Sequence, residues 1–143
     1  MIEAKTIWTD KDRFVGEANS GHALVLDAGA VNTASTPMEL VLIGLCGCTA
    51  SDVVGILRKK RQQVTGYEVS VEADQTPDPP QVFTKVRIHH TVSGVDVSPQ
   101  AVADAIRLSE EKYCSVGAMV KLSAEVESTY EIVPVEQPAA VGA

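Results

Sequence analysis

Three cysteines, Cys46, Cys48 and Cys114, are the residues of this chain whose placement most needs a chemical explanation. A cysteine can serve as a nucleophile, a redox centre or a metal ligand, always as the thiolate. It can also pack as a small buried hydrophobe. Nucleophilic or redox use of Cys48 requires a nearby cation or hydrogen-bond donor, together with access for a substrate. Arg13 is the cation the sequence nominates. Asp52, one helical turn beyond Cys48, is close enough to interact and disfavours a thiolate when ionised.

A zinc site fits the spacing poorly. Cys46-Gly-Cys48 lacks the usual two-to-four-residue ligand separation, and on a helix the two side chains diverge by about 200°. His22, His89 and His90 are the histidines available to complete a ligand set. Adjacent histidines on a strand point to opposite faces, so His89 and His90 do not readily share one metal. No metal and no cofactor are expected.

The background composition is that of an ordinary globular protein. The 143 residues suit a single domain, and 45% apolar with 22% charged residues exclude a disordered or collagen-like chain. A net charge of −7 repels phosphate backbones and anionic lipid surfaces, so neither nucleic acid nor membrane is an expected partner. The start, Met1 to Trp8, alternates apolar and polar residues instead of carrying a secretory apolar stretch. The longest apolar run, Leu40 to Cys48, is too short to span a bilayer. A cytoplasmic location is the resulting expectation, and there three cysteines argue against structural disulfides.

The elements that must position the cysteines are legible. Ile2 to Thr9, Arg13 to Glu17 and His22 to Asp27 read as short strands of an antiparallel meander. A helix then opens at Thr36-Pro37, with Glu39 completing a capping box. It runs to Arg58-Lys-Lys-Arg61, a solvated basic end that complements the helix dipole. Its first half is apolar on every face, which predicts burial, and its small residues predict close approach by a second copy of the chain.

Tyr67 to Asp74 and Val82 to His90 alternate as two further strands around the proline-rich loop Thr76 to Pro80. A second helix begins at Ser98-Pro99, with a buried stripe of Ala101, Val102, Ala105, Ile106, Ser109, Tyr113 and Val116. Cys114 lies about 140° from the centre of that stripe, an awkward placement unless the helix ends or bends near Ser115. A last strand covers Leu122 to Ile132. The expected architecture is α+β, in the order βββαββαβ, with a mainly antiparallel sheet and both helices on one face. One domain, residues 1–133, is expected, followed by a mobile tail, 134–143.

Two motifs carry a family resemblance that covers nearly the whole chain. Pro37-Met-Glu-Leu-Val-Leu-Ile-Gly-Leu-Cys-Gly-Cys48-Thr-Ala-Ser-Asp resembles the first helix of the OsmC/Ohr family, and Glu111-Lys-Tyr-Cys114-Ser-Val116 resembles its second cysteine motif. The wording is most similar to the family's YhfA-like branch. The resemblance implies an intertwined homodimer with a thiol-dependent peroxidase site at each subunit interface. Cys48 matches the peroxidatic position, which attacks an organic hydroperoxide and becomes a sulfenic acid. Cys114 matches the resolving position, which closes a disulfide that a dithiol, such as a lipoylated protein, reduces. Cys46 matches no catalytic position of the family.

The resemblance also implies a catalytic arginine oriented by a glutamate. That glutamate directly follows the helix-opening proline in peroxidase branches, whereas here the position is Met38 and Glu39 comes next. Arg13 resembles the family arginine in falling among the early strands. The sequence therefore supports two functions. One is a peroxidase using Cys48 and Cys114, with Arg13 and Glu39 as its activating pair. The other is a non-enzymatic dimer of the same fold, redox-responsive or binding a small ligand.

Overall fold

The computed structural model of the chain describes residues 1–136. Two compact units account for it, the first Met1–Ile43 and the second beginning at Gly44.

The first unit is the expected meander of β1 (Ala4–Asp10), β2 (Arg13–Ala18) and β3 (Ala23–Asp27), all antiparallel. Tight turns join the strands, and Gly21 takes a positive φ of 89° between β2 and β3, where a side chain would be strained. Rows of cross-strand partners alternate between the two faces. Ile7, Val15 and Val25 lie opposite one another in one row, and Trp8, Phe14 and Leu26 in the next. Of this unit only Asp27 is buried, while Ile7, Trp8, Leu24 and Val25 are about half exposed or more.

Helix α1 (Pro37–Lys59) opens with the expected capping box. The Thr36 N–H donates to Glu39 Oε1 at 2.9 Å, and the Glu39 N–H donates to Thr36 Oγ1 at 3.2 Å. The helix closes as a Schellman motif: Arg61 N–H bonds the Arg58 carbonyl, Gln62 N–H bonds that of Leu57, and Arg61 adopts a positive φ. Burial along α1 within the single chain is one stripe, Leu45, Thr49, Val53 and Leu57. Val41 and Ile43 are left exposed. At 23 residues, with a mean hydropathy of 2.1 over its most apolar window, α1 is long and apolar enough to cross a membrane by those two measures. The expectation based on the shorter run Leu40 to Cys48 missed this.

The second unit pairs β4 (Gln63–Gln75) with β5 (Phe83–Val95) antiparallel, and β5 with β6 (Glu125–Pro134) parallel. A parallel pair needs a crossover, and the segment between β5 and β6 supplies it. Val86, Ile88, His90, Val92 and Gly94 of β5 face inward. A register shift between Asp74 and Gln75 breaks the alternation at the strand start, so Phe83 is buried and Val82 exposed. The core joins Val53 and Leu57 of α1, Val92 of β5, Val97, and Ala101, Val102, Ala105 and Ile106 of α2 (Pro99–Leu108). Of the tail expected from Pro134, residues 137–143 lie outside the described residues. The Val135 N–H still donates to the Gly94 carbonyl at 2.9 Å.

The crossover departs from the sequence expectation at one place, and that place holds Cys114. The single expected helix is three pieces: α2, a five-residue π-turn from Ser109 to Tyr113, and a short α3 (Ser115–Val120). Ser98 caps α2 as expected, its hydroxyl accepting from Ala101 N–H at 3.2 Å. The wider π-turn and an extended Cys114 (φ −74°, ψ 99°) remove the angular difficulty noted above.

Candidate functional site

Cys48 lies half-buried on α1, one residue before the buried Thr49. Cys114 reaches it from the junction of the π-turn and α3, where it is 6% exposed. The two thiols are near enough for Cys48 to bear on the titration of Cys114. Local structure explains how Cys114 is held. Its N–H closes the π-turn on the Ser109 carbonyl at 2.8 Å, and its sulfur accepts from Gly117 N–H at 3.3 Å. A Cβ on Gly117 would stand 3.1 Å from Cys114 Sγ, so glycine permits this close seat.

Burial pushes the Cys114 thiol up to about 11, assisted by the neighbouring Cys48 and by the charge of Asp52. The Gly117 N–H pulls the other way and is outweighed. At neutral pH Cys114 is therefore a protonated thiol beside Cys48. Burial raises the pKa of Cys46 as well.

A buried polar chain adjoins the thiols. Ser109 Oγ donates to Asp52 Oδ2 at 2.9 Å, which leaves Thr49 as the donor in the 3.1 Å contact between Thr49 Oγ1 and Ser109 Oγ. Sequence reasoning placed Ser109 among apolar stripe residues and missed this role. The signal available was a pair of hydroxyl residues at positions otherwise read as buried.

The two histidines of the sequence pair part as expected of strand neighbours. His89 bonds Thr129 and Glu131 on the exposed face of the sheet, and His90 is wholly buried beneath it. The Tyr67 hydroxyl bonds His90 Nδ1, while Nε2 has no partner among the described residues. Burial pushes the Tyr67 pKa up as well.

Burial, with a smaller push from His89, lowers the His90 pKa from 6.5 to about 4. The unfolded chain thus binds a proton that the folded chain refuses between those two values. Stability from this residue is complete above pH 6.5 and drains as pH falls toward 4, by about 2 kcal/mol at pH 5. Urea unfolding at pH 7 and pH 5 should show this loss in the parent protein and a smaller one in His90→Gln. Equal losses in the two proteins would contradict it.

Within the first unit, Arg13 lies against Asp10, its Nε 3.0 Å from Oδ1, and the hydrogen bond and charge of Asp10 raise its pKa. Arg13 and Asp27 line one recess with Lys11, Asp12, Val31 and Thr33. Asp27 accepts from Gly29 N–H at 2.9 Å and Thr33 N–H at 3.0 Å, and hydrogen bonds from Thr33 and Gly29 hold its carboxyl below the usual range. Glu39 is engaged by Thr36, as described. Of the four nominated site residues, then, Cys48 and Cys114 are near neighbours, while Arg13 and Glu39 each have a local partner.

Residues 30–129 match the OsmC family model, described as OsmC-like protein. Over 132 residues the chain is 39% identical to protein YhfA of Escherichia coli K12, covering 92% of this chain and 98% of that one. A crystal structure of a hypothetical protein from Aquifex aeolicus VF5 superposes with a TM-score of 0.86 at 28% identity, over 95% of this chain and 98% of that one. An organic hydroperoxide resistance protein from Elizabethkingia anophelis superposes at 0.72 with 16% identity, over 93% of this chain and 96% of that one; at this identity the likeness is one of fold alone.

Proposed function

The chain belongs to the OsmC family of OsmC-like proteins, and on that premise we propose that it is a thiol peroxidase acting on organic hydroperoxides. The observation that carries this reading is that Cys114, buried and protonated, lies near enough to the half-buried Cys48 for the two thiols to influence each other. Cys48 attacks the distal peroxide oxygen, the O–O bond breaks, and the alkoxide leaves with a proton as an alcohol. Cys48 is then a sulfenic acid. Cys114 displaces its oxygen as water and forms the disulfide before further oxidation. A dithiol, such as a lipoylated protein, returns both thiols and becomes a disulfide itself.

The apolar stretch around Cys48 suits an oily hydroperoxide. Ile7, Trp8, Leu24, Val25 and Ile43 leave apolar surface uncovered, which supports a second copy of the chain as its cover. A reducing cytoplasm is the compartment in which such a cycle has its dithiol.

A second reading has a specific observation behind it. Arg13 is bonded by Asp10, Glu39 by Thr36, and Met38 occupies the family's glutamate position. A chain whose activating pair is engaged elsewhere keeps the fold as a redox-responsive or ligand-binding dimer. Steady-state consumption of cumene hydroperoxide with dihydrolipoamide as reductant separates the two. The peroxidase consumes it, and faster than hydrogen peroxide; consumption at the protein-free rate supports the binding dimer.

A further inference from the structure

Beside the thiol pair lies a second cross-link of the same two segments. On α1, Asp52 follows Cys48 by one helical turn; on the facing segment, Ser109 precedes Cys114 by one π-turn, closed by the 2.8 Å bond from Cys114 N–H to the Ser109 carbonyl. Cys48 therefore faces Cys114, and Asp52 faces Ser109, as adjacent rungs of one ladder. Ser109 is fully buried and Thr49 is 2% exposed, so neither hydroxyl has water as an alternative partner. A satisfied buried network of this kind specifies an arrangement, because any slip strands its polar groups. Slippage of the turn by one residue would break the Ser109–Asp52 bond and carry the Cys114 sulfur away from Cys48.

We infer that Ser109 and Asp52, backed by Thr49, are positioning residues that clamp Cys114 against Cys48 for disulfide closure. The inference rests on the thiol-pair chemistry proposed above and adds the device that sets its geometry. In the step served, the Cys114 S–H and the Cys48 S–OH give one S–S bond and one water. The S–O bond breaks, and the thiol proton leaves with the departing hydroxide. The sulfenic acid comes from an organic hydroperoxide.

A structural clamp and a proton acceptor at Asp52 make different predictions. The titratable groups whose charge reaches Cys114 are Cys48 and Asp52, both from α1. Asp52→Asn keeps an oxygen that accepts from Ser109 and removes the charge, whereas Ser109→Ala removes the bond.

Disulfide closure is followed by quenching with iodoacetamide and mass spectrometry, once with diamide as oxidant and once with cumene hydroperoxide. Closure by diamide should slow roughly tenfold in Ser109→Ala, the scale of one lost charge-assisted hydrogen bond, and stay within about threefold of the parent in Asp52→Asn. With cumene hydroperoxide, dimedone should capture more Cys48 sulfenic acid in Ser109→Ala than in the parent. If Ser109→Ala does not fold, Thr49→Val, which removes the outer member of the chain, should slow closure about threefold.

Parent-like closure in Ser109→Ala, or in Thr49→Val where that variant stands in, overturns the clamp. Closure as slow in Asp52→Asn as in Ser109→Ala also overturns it, in favour of proton transfer. The diamide difference without any reaction of the parent with cumene hydroperoxide leaves the clamp standing and removes the peroxidase reading.

Discussion

Cys48→Ser should abolish hydroperoxide consumption, a loss on the order of 10³-fold or more, because a serine hydroxyl at its ordinary pKa is a far weaker nucleophile than a thiol. Cys114→Ser should behave differently. Its Cys48 still meets the peroxide, so the first turnover proceeds at close to the parent rate. Without a resolving thiol, the sulfenic acid persists and is carried toward the irreversible sulfinic state by excess oxidant. Cys46 cannot take over the resolving role, since it leaves the same helix on a side that diverges from Cys48 by about 200°. Peroxide consumption followed through repeated additions distinguishes the variants: none with Cys48→Ser, one burst with Cys114→Ser. Equal, sustained consumption by parent and Cys48→Ser would remove Cys48 from the reaction.

The second large effect concerns stability. Gly94 is buried on β5, and a Cβ there would lie 2.2 Å from the Gln63 carbonyl oxygen and 2.6 Å from Val97 Cγ2. Gln63 is backbone of the paired strand β4 and cannot rotate aside as a side chain could. Gly94→Ala should therefore force the edge of the sheet open near the point where Val135 bonds the Gly94 carbonyl. The expected cost is about 3 kcal/mol, a fall of roughly 10 °C in the thermal midpoint. By contrast, a Cβ on Gly55 of α1 meets nothing within 4 Å. Gly55→Ala should be neutral or slightly stabilising through helix propensity. Scanning calorimetry of the two variants tests the contrast, and equal midpoints would contradict it.

Much of this molecule is legible in its sequence, for reasons that differ by element. Helix starts were readable because capping is local: Thr36 with Glu39, and Ser98 before Pro99, place donors and acceptors within one turn of each other. The strands were readable where one face is buried, as from Val86 to Val92. The start of β5 was misread because a register shift reverses its faces at Phe83, and a shift depends on the partner strand. The parallel β5–β6 pair was likewise beyond reach, since pairing direction follows from how the crossover packs.

The candidate site divides in the same way. The motifs nominate both cysteines, and the angular obstacle at Cys114 is one that a bend removes. The form of that bend, a π-turn from Ser109 to Tyr113, has no periodic signature at helical spacing. Ser109 fits an apolar stripe by position and is polar by chemistry. Its partners on α1, Thr49 and Asp52, become visible only once the two segments are brought together. Asp52 was read as a neighbour of Cys48 alone, and its bond to Ser109 gives it a second, structural occupation.

The most direct test of the account is a free-thiol count on the parent protein after one equivalent of cumene hydroperoxide, with the resulting peptide links mapped by mass spectrometry. The account predicts rapid loss of two of the three thiols, a Cys48–Cys114 disulfide, and Cys46 still free. Three surviving thiols would contradict it and return the fold to a binding role.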